Sequence, residues 1–168
     1  MQALSDETMA SQAIRFIYCP FIPRFHPWRP LVKFDPSAFV ADPDLILTLE
    51  KGSNPISCGG DRVLFRQGEI PAGLYILNQG ELTLTMTSPS GEQVMQMLAS
   101  AGSLLGLPGL ISGEPYTLTA VARSGACLSF VSRDDFTSLM QTNPLMALKI
   151  LEVLAAEVRS ARHALSNP

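Results

Sequence analysis

Leu82-Thr83-Leu84-Thr85-Met86-Thr87 alternates apolar and polar residues with a period of two, the pattern of a β-strand with one buried face. Ser88-Pro89-Ser90-Gly91 follows it as a turn, and the chain resumes with Gln93-Val94-Met95-Gln96-Met97-Leu98. A hairpin is therefore expected here. The same chemistry extends in both directions, with Val63, Leu64 and Phe65 in one strand and residues 74–77 in another. Later runs cover residues 117–122 and 126–131. Short runs of Val, Ile, Leu, Phe and Thr punctuated by Gly, Asn, Pro and Ser predict a mainly β chain, a small antiparallel barrel of about eight strands that no long helix interrupts.

Two departures from the strand pattern carry organisation. Between Gly106 and Gly113 the period breaks, and Pro108 is placed to open one short helical turn inside the barrel. After the last strand, residues 134–141 predict a short helix, Asn143 and Pro144 punctuate, and a helix of about twenty residues runs onward. Along it Ala147, Leu151, Leu154, Val158, Ala161 and Leu165 recur at intervals of four, three, four, three and four, a heptad seam for pairing with a second copy. Leu148, Ile150, Val153 and Ala155 add apolar area with which the same helix could lie on its own barrel.

Upstream, Pro20, Pro23, Pro27, Pro30, Pro36 and Pro43 crowd the first quarter, where each removes a backbone donor. Phe21, Phe25, Trp28 and Phe39 in this region predict packing on the barrel or on a partner. Residues 35–49 predict helix, with Asp35 as cap, Pro36 at its first position and Pro43 as a break point. The expected organisation is an arm at residues 1–34, a barrel with flanking short helices at 35–142, and a pairing helix at 143–168.

Composition narrows the function. Of 168 residues, 46% are hydrophobic and only 16% charged, which excludes a wholly disordered chain. The net charge of −3 supplies no general attraction to phosphate backbones, so direct DNA binding is not expected. Cys19, Cys58 and Cys127 are three, far apart, and are read as buried thiols of a reducing compartment. The apolar stretch at residues 16–22 contains Pro20 and is far shorter than the roughly 20 residues of a membrane span. No membrane contact is expected, and without a small-residue cleavage pattern the expected compartment is the cytoplasm.

Asp61-Arg62-Val63-Leu64-Phe65-Arg66-Gln67-Gly68-Glu69, then Gly73-Leu74-Tyr75-Ile76-Leu77-Asn78-Gln79-Gly80-Glu81, then Gly102-Ser103-Leu104-Leu105-Gly106, resembles the cyclic-nucleotide-binding domain of the catabolite activator and Fnr superfamily. Gly68, Gly80 and Gly106 fall at that family's three glycine positions. These glycines are read as structural, two of them needing a positive φ. The resemblance implies a double-stranded β-helix, or jelly-roll, barrel with a short cassette helix after Gly106 and a C-terminal dimerisation helix. It also implies a regulatory sensor working through dimerisation or a protein partner.

Carried over residue by residue, the resemblance puts the ligand at Gly106, Leu107, Gly109, Tyr116 and Thr117. Family members that bind a cyclic nucleotide place a glutamate on the ribose where Leu107 stands, and an arginine with a neighbouring hydroxyl on the cyclic phosphate. Here those positions are Tyr116 and Thr117, and Ala161 stands in place of a base-contacting hydroxyl residue on the helix. A buried phosphate without its guanidinium forfeits about 3–5 kcal/mol. Conventional cyclic AMP binding is therefore not expected. A more apolar pocket for a neutral or aromatic ligand and a filled core with no ligand both remain open.

No enzyme is expected. A jelly-roll also resembles the cupins, but the histidines, His26 and His163, fall outside the barrel strands, so no imidazole cluster can bind a metal there. No nucleophile motif or phosphate loop occurs, and Asp134 with Asp135 is explained by helix capping. No cofactor is expected. The chain ends at Pro168 without residues for the winged helix-turn-helix of full-length regulators, giving the expectation of a stand-alone homodimeric domain. The alternatives are a degenerate interaction scaffold and a cyclic-nucleotide receptor with unusual contacts.

Overall fold

The structure, a computed structural model, describes residues 34–166. Apart from Phe34, the expected arm lies outside the described residues, together with Cys19, His26 and the aromatics Phe21, Phe25 and Trp28. Eight strands follow in order: β1 (Asn54–Ser57), β2 (Arg62–Phe65), β3 (Gly73–Gln79), β4 (Leu82–Thr87), β5 (Gln93–Ala99), β6 (Leu104–Leu105), β7 (Thr119–Ala122) and β8 (Cys127–Ser132). They form two four-stranded antiparallel sheets, ordered β1-β8-β3-β6 and β2-β7-β4-β5. This is the expected jelly-roll. The strands containing residues 117–122 and 126–131 begin two residues and one residue later than the sequence pattern suggested.

A hydrophobic layer fills the space between the sheets, with Phe65, Leu77, Leu82, Leu84, Met95 and Leu128 among its buried members. A second layer covers the outer face of the β1-β8-β3-β6 sheet. There Leu74, Ile76, Leu104 and Val131 meet apolar side chains of the helices, including Leu45, Leu49, Phe136, Met146 and Ile150. Strand β3 consequently has both faces covered, which is why Leu74-Tyr75-Ile76-Leu77 does not alternate. In β4, Leu82 and Leu84 face inward as expected, but Thr83 is also buried and its Oγ1 has no hydrogen-bond partner. The alternation thus identified one core face and missed that the other is partly covered.

The predicted helix at residues 35–49 divides in two. A 3-10 turn, Pro36–Phe39, is capped by the Asp35 carboxylate, and α1 (Pro43–Glu50) is capped by Asp42, whose Oδ1 accepts from the backbone N–H groups of Asp44 and Leu45. Pro43, at the first position of α1, belongs where its missing N–H is harmless. The cassette helix α2 (Leu107–Ser112) interrupts the barrel between β6 and β7. Next comes α3 (Arg133–Thr142), whose N-terminus is capped by the Ser132 hydroxyl, with Asp134 and Asp135 in its first turn. The carboxylate pair thus complements a helix terminus.

Helix α4 (Pro144–Ser166) spans 23 residues and lies on the barrel through Met146, Ile150, Val153 and Ser160. Polar contacts also hold it. Ser160 Oγ accepts from the Asp35 N–H at 2.8 Å, and Lys149 Nζ donates to the capping carboxylate of Asp42 at 2.7 Å. Cys58 is buried as expected, whereas Cys127 is only half-buried because it opens β8 near the sheet end.

All three glycines of the series have positive φ, at 88°, 88° and 87° for Gly68, Gly80 and Gly106, not two of them. At Gly80 space is short as well: a Cβ would lie 2.9 Å from Ala126 Cα. Gly80→Ala is expected to destabilise the fold by about 1–3 kcal/mol, measured as a lower urea midpoint with an unchanged slope.

Candidate functional site

A cavity of about 220 Å³ opens between the barrel interior and α4. Phe39, Phe65, Leu84, Met86, Met95 and Leu105 supply its apolar wall, Gly106, Pro108 and Gly109 its cassette side, and Glu157, Val158 and Ala161 its helical side. Of the predicted ligand residues, Gly106, Gly109, Tyr116 and Thr117 are brought together on this cavity. Leu107 is not. Its side chain is fully buried in the outer layer with Leu74, Ile76 and Leu104, on the opposite side of the cassette backbone.

Tyr116 is held from several directions. Its backbone N–H donates to Glu69 O at 2.9 Å, and its carbonyl accepts from the Gly68 N–H at 2.8 Å. The ring stacks on Phe65 with centroids 4.0 Å apart. Its hydroxyl donates to the buried carbonyl of Gly73 at 2.8 Å. Burial pushes the phenol up to about 12, so it stays protonated and remains a donor. The phenolic group that the sequence offered to a ligand is thus already engaged by β3. A Cβ at Gly106 would sit 2.7 Å from Tyr116 Cε1, so glycine there admits the ring as well as the turn.

The cassette is secured from outside the cavity by Arg133, whose guanidinium donates to Leu110 O at 3.2 Å and to Pro71 O at 2.9 Å. It joins α2 to the loop before β3. Sequence reading did not single out Arg133, because its role depends on two carbonyls that only the fold brings together.

Glu157 was also missed. It lies on the stripe Met146, Ile150, Val153, Glu157, Ser160, spaced four, three, four and three, which is the barrel-facing side of α4. The seam Ala147-Leu151-Leu154-Val158-Ala161-Leu165 runs beside it. The residue is half-buried as a whole, but its Oε1 is withdrawn from solvent and has no hydrogen-bond partner among the described residues. Burial raises its carboxyl to about 7, against an ordinary value of 4.5.

Among the described lining residues Glu157 carries the one charge, and none is Lys, Arg or His. No group of His, Cys, Asp and Glu among the described residues could hold a metal ion, and no described helix is long and apolar enough to cross a membrane.

A family model for the cyclic nucleotide-binding domain matches residues 56–143, just over half of the chain. The chain belongs to this family. The cyclic AMP receptor protein of Thermus thermophilus is 29% identical to it over 98 residues, 58% of this chain and 45% of that protein. Among solved structures, the Thermus thermophilus catabolite activator protein superposes with a TM-score of 0.66 at 23% identity, covering 79% of this chain and 62% of that one. The sensor domain of the transcriptional regulator DNR from Pseudomonas aeruginosa gives 0.56 at 20% identity, covering 73% and 82%. The chain spans about half the length of the curated relatives it matches. These solved structures share the jelly-roll architecture of this cyclic nucleotide-binding domain.

The raised carboxyl makes stability depend on pH. Between 4.5 and about 7 the unfolded chain has released the Glu157 proton while the folded chain retains it, so the folded state binds more protons. The stability present below that window is lost as pH rises through it. Compared with Glu157→Gln, the wild-type chain is expected to lose on the order of 3 kcal/mol across the window, read from denaturant midpoints at a series of pH values.

Proposed function

We propose that this cyclic nucleotide-binding-type domain is a non-catalytic sensor whose barrel holds a small, largely apolar ligand and whose helix α4 pairs two copies. The cavity carries the reading: it retains about 220 Å³ of open space, and its described lining offers no cation. Open space favours a ligand over a scaffold with a filled core. A cyclic phosphate would meet Tyr116 where a guanidinium is needed and would share an apolar chamber with Glu157, a like charge when ionised. Cyclic AMP therefore fits this site poorly.

The helix links occupancy to assembly. Leu151, Val158 and Leu165 of the seam are exposed by 58%, 49% and 74%, more apolar surface than one helix ordinarily leaves to water. Val158 and Ala161 belong both to that seam and to the cavity wall, so a ligand pressing on them changes the surface offered to a second copy. In this reading residues 35–142 form the barrel and residues 143–168 the pairing element, with residues 1–34 as an arm, and the pocket takes lining residues from all three. Signalling passes through that pairing or a protein partner in the cytoplasm, without direct contact of these residues to DNA or membrane.

Two measurements test the reading. Leu151→Asp combined with Leu165→Asp is expected to halve the particle mass by light scattering while leaving the circular dichroism of the folded barrel intact. An unchanged mass would remove the pairing role. Calorimetric titration with cyclic AMP and cyclic GMP is expected to give no binding tighter than millimolar; micromolar binding abolished by Thr117→Ala would return the site to nucleotide recognition.

A further inference from the structure

One charged residue of the cavity lining, Glu157, has a carboxyl oxygen with no partner among the described residues. A carboxylate presents only acceptors, and leaving them unsatisfied in an apolar recess is costly. Glu157 Oε1 is in that position, and the residue shares the cavity lining with Phe34, Phe39, Phe65 and Met95. Two kinds of donor could satisfy it. In a parallel helix pair Glu157, one residue before seam residue Val158, would stand in register with Arg162 of the second copy, five residues further along. Yet Oε1 is withdrawn from solvent at the cavity, while Arg162 is exposed. A ligand in the cavity that Glu157 lines brings the other kind of donor to its carboxyl group.

We propose that Glu157 and the aromatic wall make this cavity a receptor for small organic cations, in which an amine or amidine nitrogen is carried on a body of one or two rings. The proposal rests on reading the cavity as the sensor site. Size agrees: a dry cavity of about 150 Å³ holds benzene, and about 220 Å³ is available here. The chemistry agrees too. An ammonium group donates charge-assisted hydrogen bonds to a carboxylate, and the faces of Phe and Tyr rings attract cations, more strongly where water is excluded. An ammonium partner favours the ionised form of this carboxyl group, which burial disfavours in the free protein. The same wall repels anions.

The test uses the full chain and isothermal titration with tryptamine, with tryptophol, which carries a hydroxyl in place of the ammonium, with indole, and with cyclic AMP. Tryptamine is expected to bind about tenfold or more tightly than tryptophol. Glu157→Gln, checked for folding by its melting curve, is expected to abolish that preference while retaining tryptophol binding, and Arg162→Gln to leave it unchanged. Equal binding of tryptamine and tryptophol, or a preference that survives Glu157→Gln, overturns the cation assignment while the sensor reading stands. A preference lost in Arg162→Gln overturns it in favour of pairing between copies. Absence of tryptamine binding at millimolar concentration overturns it as well, and absence of binding by all four compounds removes the sensor reading with it.

Discussion

From Gly73 to Leu77 strand β3 is covered on both faces, and the rest of the molecule is arranged to make that so. Leu74 and Ile76 require a layer outside the barrel, which α1, α3 and α4 supply with Leu45, Leu49, Phe136, Met146 and Ile150. Leu77 requires one inside, supplied by the second sheet through Leu82, Leu84 and Met95. The strand's first carbonyl, Gly73 O, accepts from the Tyr116 hydroxyl, so the strand that organises both cores also positions one wall of the cavity. Fold and pocket therefore share a component. The cavity is a region where the inter-sheet layer stays open.

The character of that chamber follows from two exchanges of side-chain chemistry. Tyr116 occupies volume and directs its polar atom back into the protein, and Leu107 turns away to the outer layer. Neither brings charge to the cavity. Glu157 does, from α4, and its proton affinity is raised because the surroundings that suit an apolar ligand are poor solvent for a carboxylate. The architecture of the barrel is thus kept while the charge of the chamber is set by a residue of the helix.

Legibility in the sequence followed the range of each interaction. The β4 and β5 hairpin, the cassette turn at Pro108 and the long helix depend on local periodicity and turn chemistry, so they could be read directly. Gly106, Gly109, Tyr116 and Thr117 are grouped by the family resemblance, and the fold places all four on the cavity. Phe34, Phe39, Met86 and Met95 are ordinary apolar residues until the sheets close, and nothing local distinguishes them as cavity wall. Glu157 had a usable signal, its place on the buried stripe with Ile150 and Val153. The adjacent heptad seam has nearly the same period and obscured it.

The left-handed glycines have a consequence for how such domains are recognised. Gly80 and Gly106 are required by backbone angle and by the nearness of Ala126 and Tyr116, not by anything that enters the chamber. In this chain they serve the closing of the barrel. A signature built on those positions is an address for the architecture, whereas the chemistry facing the chamber is set by side chains such as those at 116 and 157.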